Sequence, residues 1–446
     1  MNSIFINNEL EWLTKILFHR VESYLGSKGM DQDIFELYPP AVPKGDSGAY
    51  ERFIKEHGMS DEDRLCLILS FAPVLKPQVL DCLCVKNSDT GRPFLEFGCR
   101  ESRDGRGLLP TIETLLFAVA GTDMEKRLSC AGRILRNEFL AIHCMGTEGS
   151  ATGELFNSTS LRPSEELIDM LLFDRPFEPG YSSGFPAKKL STNRSWDDLV
   201  LDELTASQVD EIRLWVEFGE RVRAEWGLKD KLRPGYRALF YGPPGSGKTF
   251  TASLLGKRTG KDVYRIDLSS VVSKYIGETE KNLGKVFSIA EGKEWILFFD
   301  EADALFGKRT GIKDSHDRYA NQEVSYLLQR IEDYPGLVVL STNQRLNIDD
   351  AFARRFQSAI KFPMPNPEQR KQLWLSAFSD KTSFEDIKAL DDISRKYELT
   401  GGSIMNVVQF ASVMAMSRGE TVIRTEDILL GIRRELSKEG KVVQSI

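Results

Sequence analysis

The stretch Gly242–Thr249, "GPPGSGKT", decides how this chain folds. It fits the pattern G-x-x-x-x-G-K-[ST], and it lies between a short apolar run, "YRALFY" (236–241), and a stretch suited to a helix. That strand-then-helix context is what makes a glycine-rich run a phosphate-binding loop. Gly242, Gly245 and Gly247 let backbone N–H groups curl around phosphate oxygens. The helix that follows offers the positive end of its dipole. Lys248 is expected to reach the β- and γ-phosphates, and Thr249 to ligate Mg²⁺. The expected nucleotide-binding set is Gly242, Pro243, Pro244, Gly245, Ser246, Gly247, Lys248, Thr249 and Phe250, with ATP and Mg²⁺ as cofactors.

Outward from this loop, the apolar runs "VYRIDL", "WILFFD" and "GLVVLSTN" alternate with helical stretches. Continuous apolar strands separated by helices imply a parallel sheet covered on both faces. The fold expectation is therefore α/β, a P-loop NTPase parallel-sheet core with a C-terminal helical lid, preceded by a mainly α, winged-helix-like N-terminal domain. "WILFFDEAD" ends in Asp300-Glu301 at the C-terminal end of a buried strand, where open α/β sheets bind their ligands. Asp300 is expected to hold Mg²⁺, and Glu301 to polarise the attacking water as general base or by orientation. Asn343, at the end of "LVVLSTN", suits the γ-phosphate or the lytic water; the plainer reading is a turn former. Arg354-Arg355 is either a surface ion-pairing couple or an arginine finger given to a neighbouring subunit's nucleotide, for which the planar fork of guanidinium donors is well matched.

The organisation expected along the chain is a helical domain over 1–173, a linker over 174–195, the α/β core over 196–365 and the lid over 366–446. In the first part, "MSDEDRLCLILSFAPVL" starts with a capping-box-like Ser60 and Asp63. "LPTIETLLFAVAG" reads as a helix stopped by Gly121. "EFLAIHC" and "GELFNSTS" read as the two short strands of a wing. Residues 174–195 are rich in Pro, Gly and Ser and read as linker. The N-terminal 26 residues lack a basic start and a cleavage-like end and read as an amphipathic helix, and "LCLILSFAPVL" is shorter than a membrane span. No membrane insertion and a cytoplasmic location are expected. The six cysteines all lie in the first third and form no zinc-ligand pattern; with four histidines and no H-E-x-x-H, a zinc protease is excluded. The net charge of −7 counts against a non-specific nucleic-acid binder. Trp215, Phe218 and Trp226 fall at near-helical spacing and read as core packing.

The motifs "GPPGSGKT", "FFDEAD", "STN" and "DDAFARRF", in this order, resemble those of the AAA+ ATPases, in particular the classical clade, over roughly Trp196–Val442. The resemblance implies that Asn343 is sensor 1 and that Arg354 and Arg355 act in trans. It also implies that "TGGSIMN" (400–406) opens the sensor 2 helix, with Gly402 at the nucleotide and no lid arginine. A homo-oligomeric ring, usually a hexamer, follows from the trans arginines. "SKYIGETEKNL" (273–283) resembles the pore loop of such rings, with Lys274, Tyr275, Ile276 and Gly277 facing a threaded substrate. His316 and Arg318 lie in a segment that lines the pore or reports on the neighbouring nucleotide, or is simply a solvated loop. "APVLKPQVLDCL", "TGRPFLEFG" and "LPTIETLLFAVAG" resemble the N-terminal region of AAA ATPases encoded with bacterial contractile injection systems, which are phage-tail-like particles.

The functional expectation is an ATP-hydrolysing ring that remodels, unfolds or disassembles a protein substrate. Two alternatives stand beside it. A nucleic-acid motor or loader using the winged-helix-like domain is opposed by the net charge and by the mixed signs of "DMEKRLSCAGRILRNE". A scaffold that uses ATP only to assemble is opposed by Glu301, Asn343 and Arg354.

Overall fold

The computed structural model describes residues 2–26, 33–45, 48–102, 107–145, 156–182, 185–268, 278–303, 325–343, 354–438 and 440. Lys274, Tyr275, Ile276, Gly277, His316 and Arg318 lie outside these residues. The chain divides into two compact units, Met1–Glu178 and Pro179–Ile446.

The first unit is built on the helix Asn2–Gly26, which buries Leu13, Ile16 and Leu17 at helical spacing. Ser60 and Asp63 form the capping box of the helix Asp61–Leu75, and Gly121 ends the helix Ile112–Ala120. Arg20 is buried and donates to Ala118 O at 3.1 Å and Val119 O at 2.7 Å, satisfying carbonyls that the end of that helix leaves open. Arg64, also buried, meets Glu9 Oε1 at 2.5 Å and Ala41 O at 2.9 Å. Such a pair fixes register more than it adds stability, because both charges have left water.

The wing expected from the sequence is not formed by the runs read as its strands. "EFLAIHC" is the helix Glu138–His143, and the described part of the second run is a tight turn, Phe156–Ser158, followed by Ser160, which forms an isolated antiparallel bridge with Thr111. Leu140 and Cys144, four apart, are both buried, and Asn137 accepts from the Leu140 N–H at 3.3 Å as the helix cap. That spacing is helical, and four apolar residues in a row masked it. Among the described residues of this unit the two-stranded antiparallel sheet is Arg100–Glu101 with Leu108–Leu109, beside isolated antiparallel bridges of Lys86 with Pro93, Thr111 with Ser160 and Met145 with Leu161.

The second unit holds a six-stranded sheet. Its order is Ala187–Leu190, Val263–Asp267, Ile296–Asp300, Leu337–Thr342, Tyr236–Tyr241, Ser358–Lys361, with the first strand antiparallel and the rest parallel. Alternate residues serve opposite faces. Ala238, Phe240, Ile296, Phe298 and Val339 pack on the helices Glu203–Glu225 and Lys248–Thr259. Leu239, Leu297, Phe299 and Leu340 pack on Glu278–Glu291 and the helix over 325–333. Arg237 is buried near the start of the strand Tyr236–Tyr241, and its nitrogens donate to Pro234 O, Ile331 O, Glu332 O and Tyr334 O, tying the strand to the end of that last helix.

Three readings of this unit are corrected. The supposed linker contributes the edge strand Ala187–Leu190, because Phe185 and Ala187 are buried while Lys188 is exposed and Lys189 pairs with Asp262 at 3.0 Å, charged residues being what edge strands favour. Of the three aromatics read as core, only Trp215 packs inward, against Tyr236 at 5.9 Å between ring centroids. The helix buries the stripe Val209, Ile212 and Gly219; Phe218 falls beside it at 44% exposure, and Trp226 lies past the helix end at 72%. In the lid, "SFEDIKALDDISRKY" is helical only over Ala389–Lys396, since Ser383–Phe384 pairs with Val422–Ile423 instead. The other lid helices are Pro367–Ala377, Gly401–Ser417 and Thr425–Lys438, around Trp374, Val407 and Ile432.

Candidate functional site

Strand order explains why distant motifs meet. The strand Tyr236–Tyr241 pairs with Leu337–Thr342, Tyr241 opposite Thr342, and Leu337–Thr342 pairs with Ile296–Asp300, Phe299 opposite Leu340. All three run the same way, so Gly242, Asp300 and Asn343 leave the sheet side by side at its C-terminal edge. They open on a cavity of about 650 Å³. Pro244 to Phe250, Asp300, Glu301, Asn343, Gly401 and Gly402 all line it.

Lys248 opens the helix Lys248–Thr259 and is only 7% exposed. Its ammonium donates to Gly242 O at 2.7 Å, Pro243 O at 3.0 Å and Asn343 Oδ1 at 3.1 Å. Burial pushes its pKa down, while the carboxylates of Asp300 and Asp303 oppose that shift. Gly245 has φ +74°, and a Cβ there would lie 2.7 Å from Thr400 Oγ1 and 3.2 Å from Gly402 Cα. Only glycine allows the loop to touch the first turn of the lid helix this closely. The Gly402 N–H donates to Gly245 O at 3.0 Å, so the lid rests directly on the loop.

Glu301 takes φ +52°, a left-handed conformation that costs a non-glycine residue on the order of 1–3 kcal/mol. It is held by neighbours: its N–H donates to Asp300 Oδ1 at 3.1 Å, and the Ala302 N–H donates to Ser341 O at 2.9 Å. Asp303 accepts from the Thr342 hydroxyl and from the Asn343 N–H at 3.3 Å, joining this turn to the neighbouring strand end. The kinked backbone leaves the Glu301 carboxylate exposed at the cavity wall.

Arg354 and Arg355 do not line the cavity of their own chain. Both are exposed. Arg355 meets Glu332 Oε1 at 2.9 Å, and Arg354 makes no ion pair among the described residues. Two other charged residues escaped the sequence reading. Asp303 was passed over as the tail of "DEAD". Arg265, inside a strand read only for its apolar residues, places a guanidinium nitrogen 3.0 Å from Asp300 Oδ2. The far wall of the cavity, which includes Val200, Leu201, Leu373, Ile404 and Met405, is apolar and was not foreseen either.

Residues 238–364 match the family described as "ATPase family associated with various cellular activities (AAA)". This is an AAA ATPase domain. Among similar proteins, cell division protein C of Sulfolobus acidocaldarius is 35% identical over 185 residues, covering 39% of this chain and 49% of that one. The proteasome-activating nucleotidase of Methanopyrus kandleri is 29% identical over 263 residues, covering 56% and 58%. The 26S proteasome regulatory subunit 6B homolog of Dictyostelium discoideum is 29% identical over 214 residues, covering 46% and 53%. The chain spans about half the length of the curated relatives it matches.

AAA domains use ATP with Mg²⁺, and the residues of this AAA domain fit both. The Ser246 hydroxyl is buried with no hydrogen-bond partner among the described residues, just ahead of a helix N-terminus and its lysine, where a phosphate oxygen would satisfy it. Among the described residues no cluster of three or more His, Cys, Asp or Glu could hold a metal alone. Mg²⁺ needs no such cluster, since it takes one or two protein oxygens and otherwise phosphates and water; Thr249 and Asp300 would supply the protein oxygens here. The apolar wall would take the base.

Proposed function

We propose that this chain is the subunit of an ATP-hydrolysing homo-oligomeric ring, a hexamer, that remodels a protein substrate drawn through its centre. One observation carries the reading: Lys248, Asp300, Glu301 and Asn343 converge on one cavity, while Arg354 and Arg355 stay outside it and exposed. Hydrolysis of the terminal phosphate needs a positioned water and a cation for the charge that develops. Glu301 serves the first, with its strained backbone aiming the carboxylate into the cavity. A neighbour's Arg354 serves the second, which makes the ring a requirement of the chemistry. Mg²⁺ supplies neutralisation of phosphate charge when bound. Lys274, Tyr275, Ile276 and Gly277 form the pore loop that grips the client, Tyr275 offering a flat apolar ring to any extended chain.

The similarity to a proteasome-activating nucleotidase and to a 26S proteasome regulatory protein supports work on a protein rather than on a nucleic acid. The client class suggested by the N-terminal resemblance is a component of a contractile injection particle, handled in the cytoplasm.

Glu301→Gln tests the reading. The variant should bind ATP as tightly as the parent, lose at least ~100-fold in turnover, stay assembled, and retain its client for identification by mass spectrometry. Unchanged turnover would show that Glu301 does not position the attacking water; lost turnover with client work intact would leave ATP with an assembly role alone. Tyr275→Ala separates motor from grip: ATP turnover should persist while client unfolding, followed by loss of client fluorescence, stops. A variant that still unfolds its client would exclude threading by this loop.

A further inference from the structure

The ion pair between Arg265 and Asp300 has no place in the scheme above. Arg265 lies on the strand Val263–Asp267, next to Ile296–Asp300, with Arg265 opposite Phe298 and Asp267 opposite Asp300. Side chains two apart share a face, so Arg265 points to the same side of the sheet as Asp300, the side of the phosphate-loop helix. Its guanidinium is 3.0 Å from Asp300 Oδ2, while Asp300 Oδ1 takes the Glu301 N–H at 3.1 Å. Both oxygens of the metal-binding carboxylate are thus already engaged.

We propose that Arg265 is a positioning residue that occupies Asp300 against free Mg²⁺, so that the metal is accepted only together with nucleotide phosphates. The proposal rests on the ATP-binding reading. Comparison with Arg237 separates this role from a structural one. Arg237 is 2% exposed and each of its nitrogens has a backbone carbonyl, as a buried structural arginine requires. Arg265 keeps a side chain 39% exposed, and its Nε is buried without a partner among the described residues. Among those residues the ion pair holding the guanidinium is the one with Asp300.

The charges give the direction. A divalent ion at Asp300 without nucleotide faces the unit charge of Arg265 a few ångströms away, and Lys248 adds a second cation across the cavity. Even at the dielectric of bulk water, one such charge about 5–8 Å away weakens divalent binding by roughly fivefold to twentyfold, which sets the lower bound. A triphosphate brings enough negative charge to reverse the balance, so metal and nucleotide arrive and leave as one unit.

The test uses the full chain and a ribose-labelled fluorescent ATP, titrated with MgCl₂. Arg265→Leu should lower the half-saturating Mg²⁺ fivefold to twentyfold and should bind Mn²⁺ without nucleotide, read by electron paramagnetic resonance. Arg265→Lys, which keeps the charge, should stay within twofold of the parent on both readouts. If Arg265→Leu melts early, Arg265→Gln replaces it; failure of both to fold makes the residue structural and overturns the proposal. Normal nucleotide binding with an unmoved or raised Mg²⁺ requirement in the neutral variant overturns it as well. A parent chain that binds no nucleotide at any Mg²⁺ concentration overturns the ATP-binding reading and this inference together.

Discussion

Lys248→Ala is expected to remove nucleotide binding, lowering affinity by at least ~100-fold, since each charge-assisted hydrogen bond to a phosphate contributes about 1.5–3 kcal/mol and this ammonium can make two. The ammonium is desolvated, and its present acceptors, Gly242 O, Pro243 O and Asn343 Oδ1, keep it at the mouth of the loop. Its transfer from those carbonyls to phosphate oxygens exchanges neutral acceptors for charged ones. Alanine also removes the hydrogen bond that restrains the Asn343 side chain. The fold itself should survive, because the three acceptors border an open cavity where water can replace the ammonium. The measurement is thermal unfolding with and without Mg²⁺ and ATP. The parent should gain several degrees with nucleotide, as a ligand that binds only the folded state requires; the variant should match the parent without nucleotide and gain nothing with it. A variant that still gains would show that the backbone N–H groups alone bind the phosphates.

The P-loop, the strand carrying Asp300 and the strand ending at Asn343 were legible because each is a fully buried parallel strand, which writes an unbroken apolar run into the sequence. The residues that follow such runs are fixed at one sheet edge by topology alone, so their meeting could be inferred without coordinates. Three kinds of feature were not legible. The edge strand Ala187–Leu190 carries two lysines and follows a run of Pro, Gly and Ser, so its local signal is that of a loop; it becomes a strand only because Val263–Asp267 offers it a free edge. The short helix Glu138–His143 has too few residues to show a period. Arg265 and Asp303 matter only through partners on other strands, Asp300 and Thr342, and pairs distant in sequence leave no mark in one chain read alone. The apolar wall around Leu201 and Ile404 is of this kind too, since it draws on the segment ahead of the first parallel strand and on the lid.

Arg354→Ala is expected to lower ATP turnover by about 10³-fold, the effect of removing a finger that meets charge developing on the transferred phosphate, while nucleotide affinity stays within threefold. Of the two arginines, Arg354 is the one with no ion pair among the described residues, whereas Arg355 is already drawn to Glu332 of its own chain. Neither lines its own cavity, so on the proposed reading the finger serves a neighbouring subunit's site. That predicts complementation between two inactive proteins. Arg354→Ala keeps an intact nucleotide site and lacks a finger; Lys248→Ala lacks the site and keeps the finger. Each alone should be nearly inert. Mixed and reassembled, an Arg354→Ala subunit that receives Arg354 from a Lys248→Ala neighbour should hydrolyse ATP again, and turnover should pass through a maximum as the mixing ratio varies. A finger acting within its own chain cannot give this maximum, because no subunit in the mixture would hold both a working site and its own arginine. Turnover that stays flat across all ratios, with mixed rings shown by mass to form, would place the finger in cis and remove the chemical need for the ring.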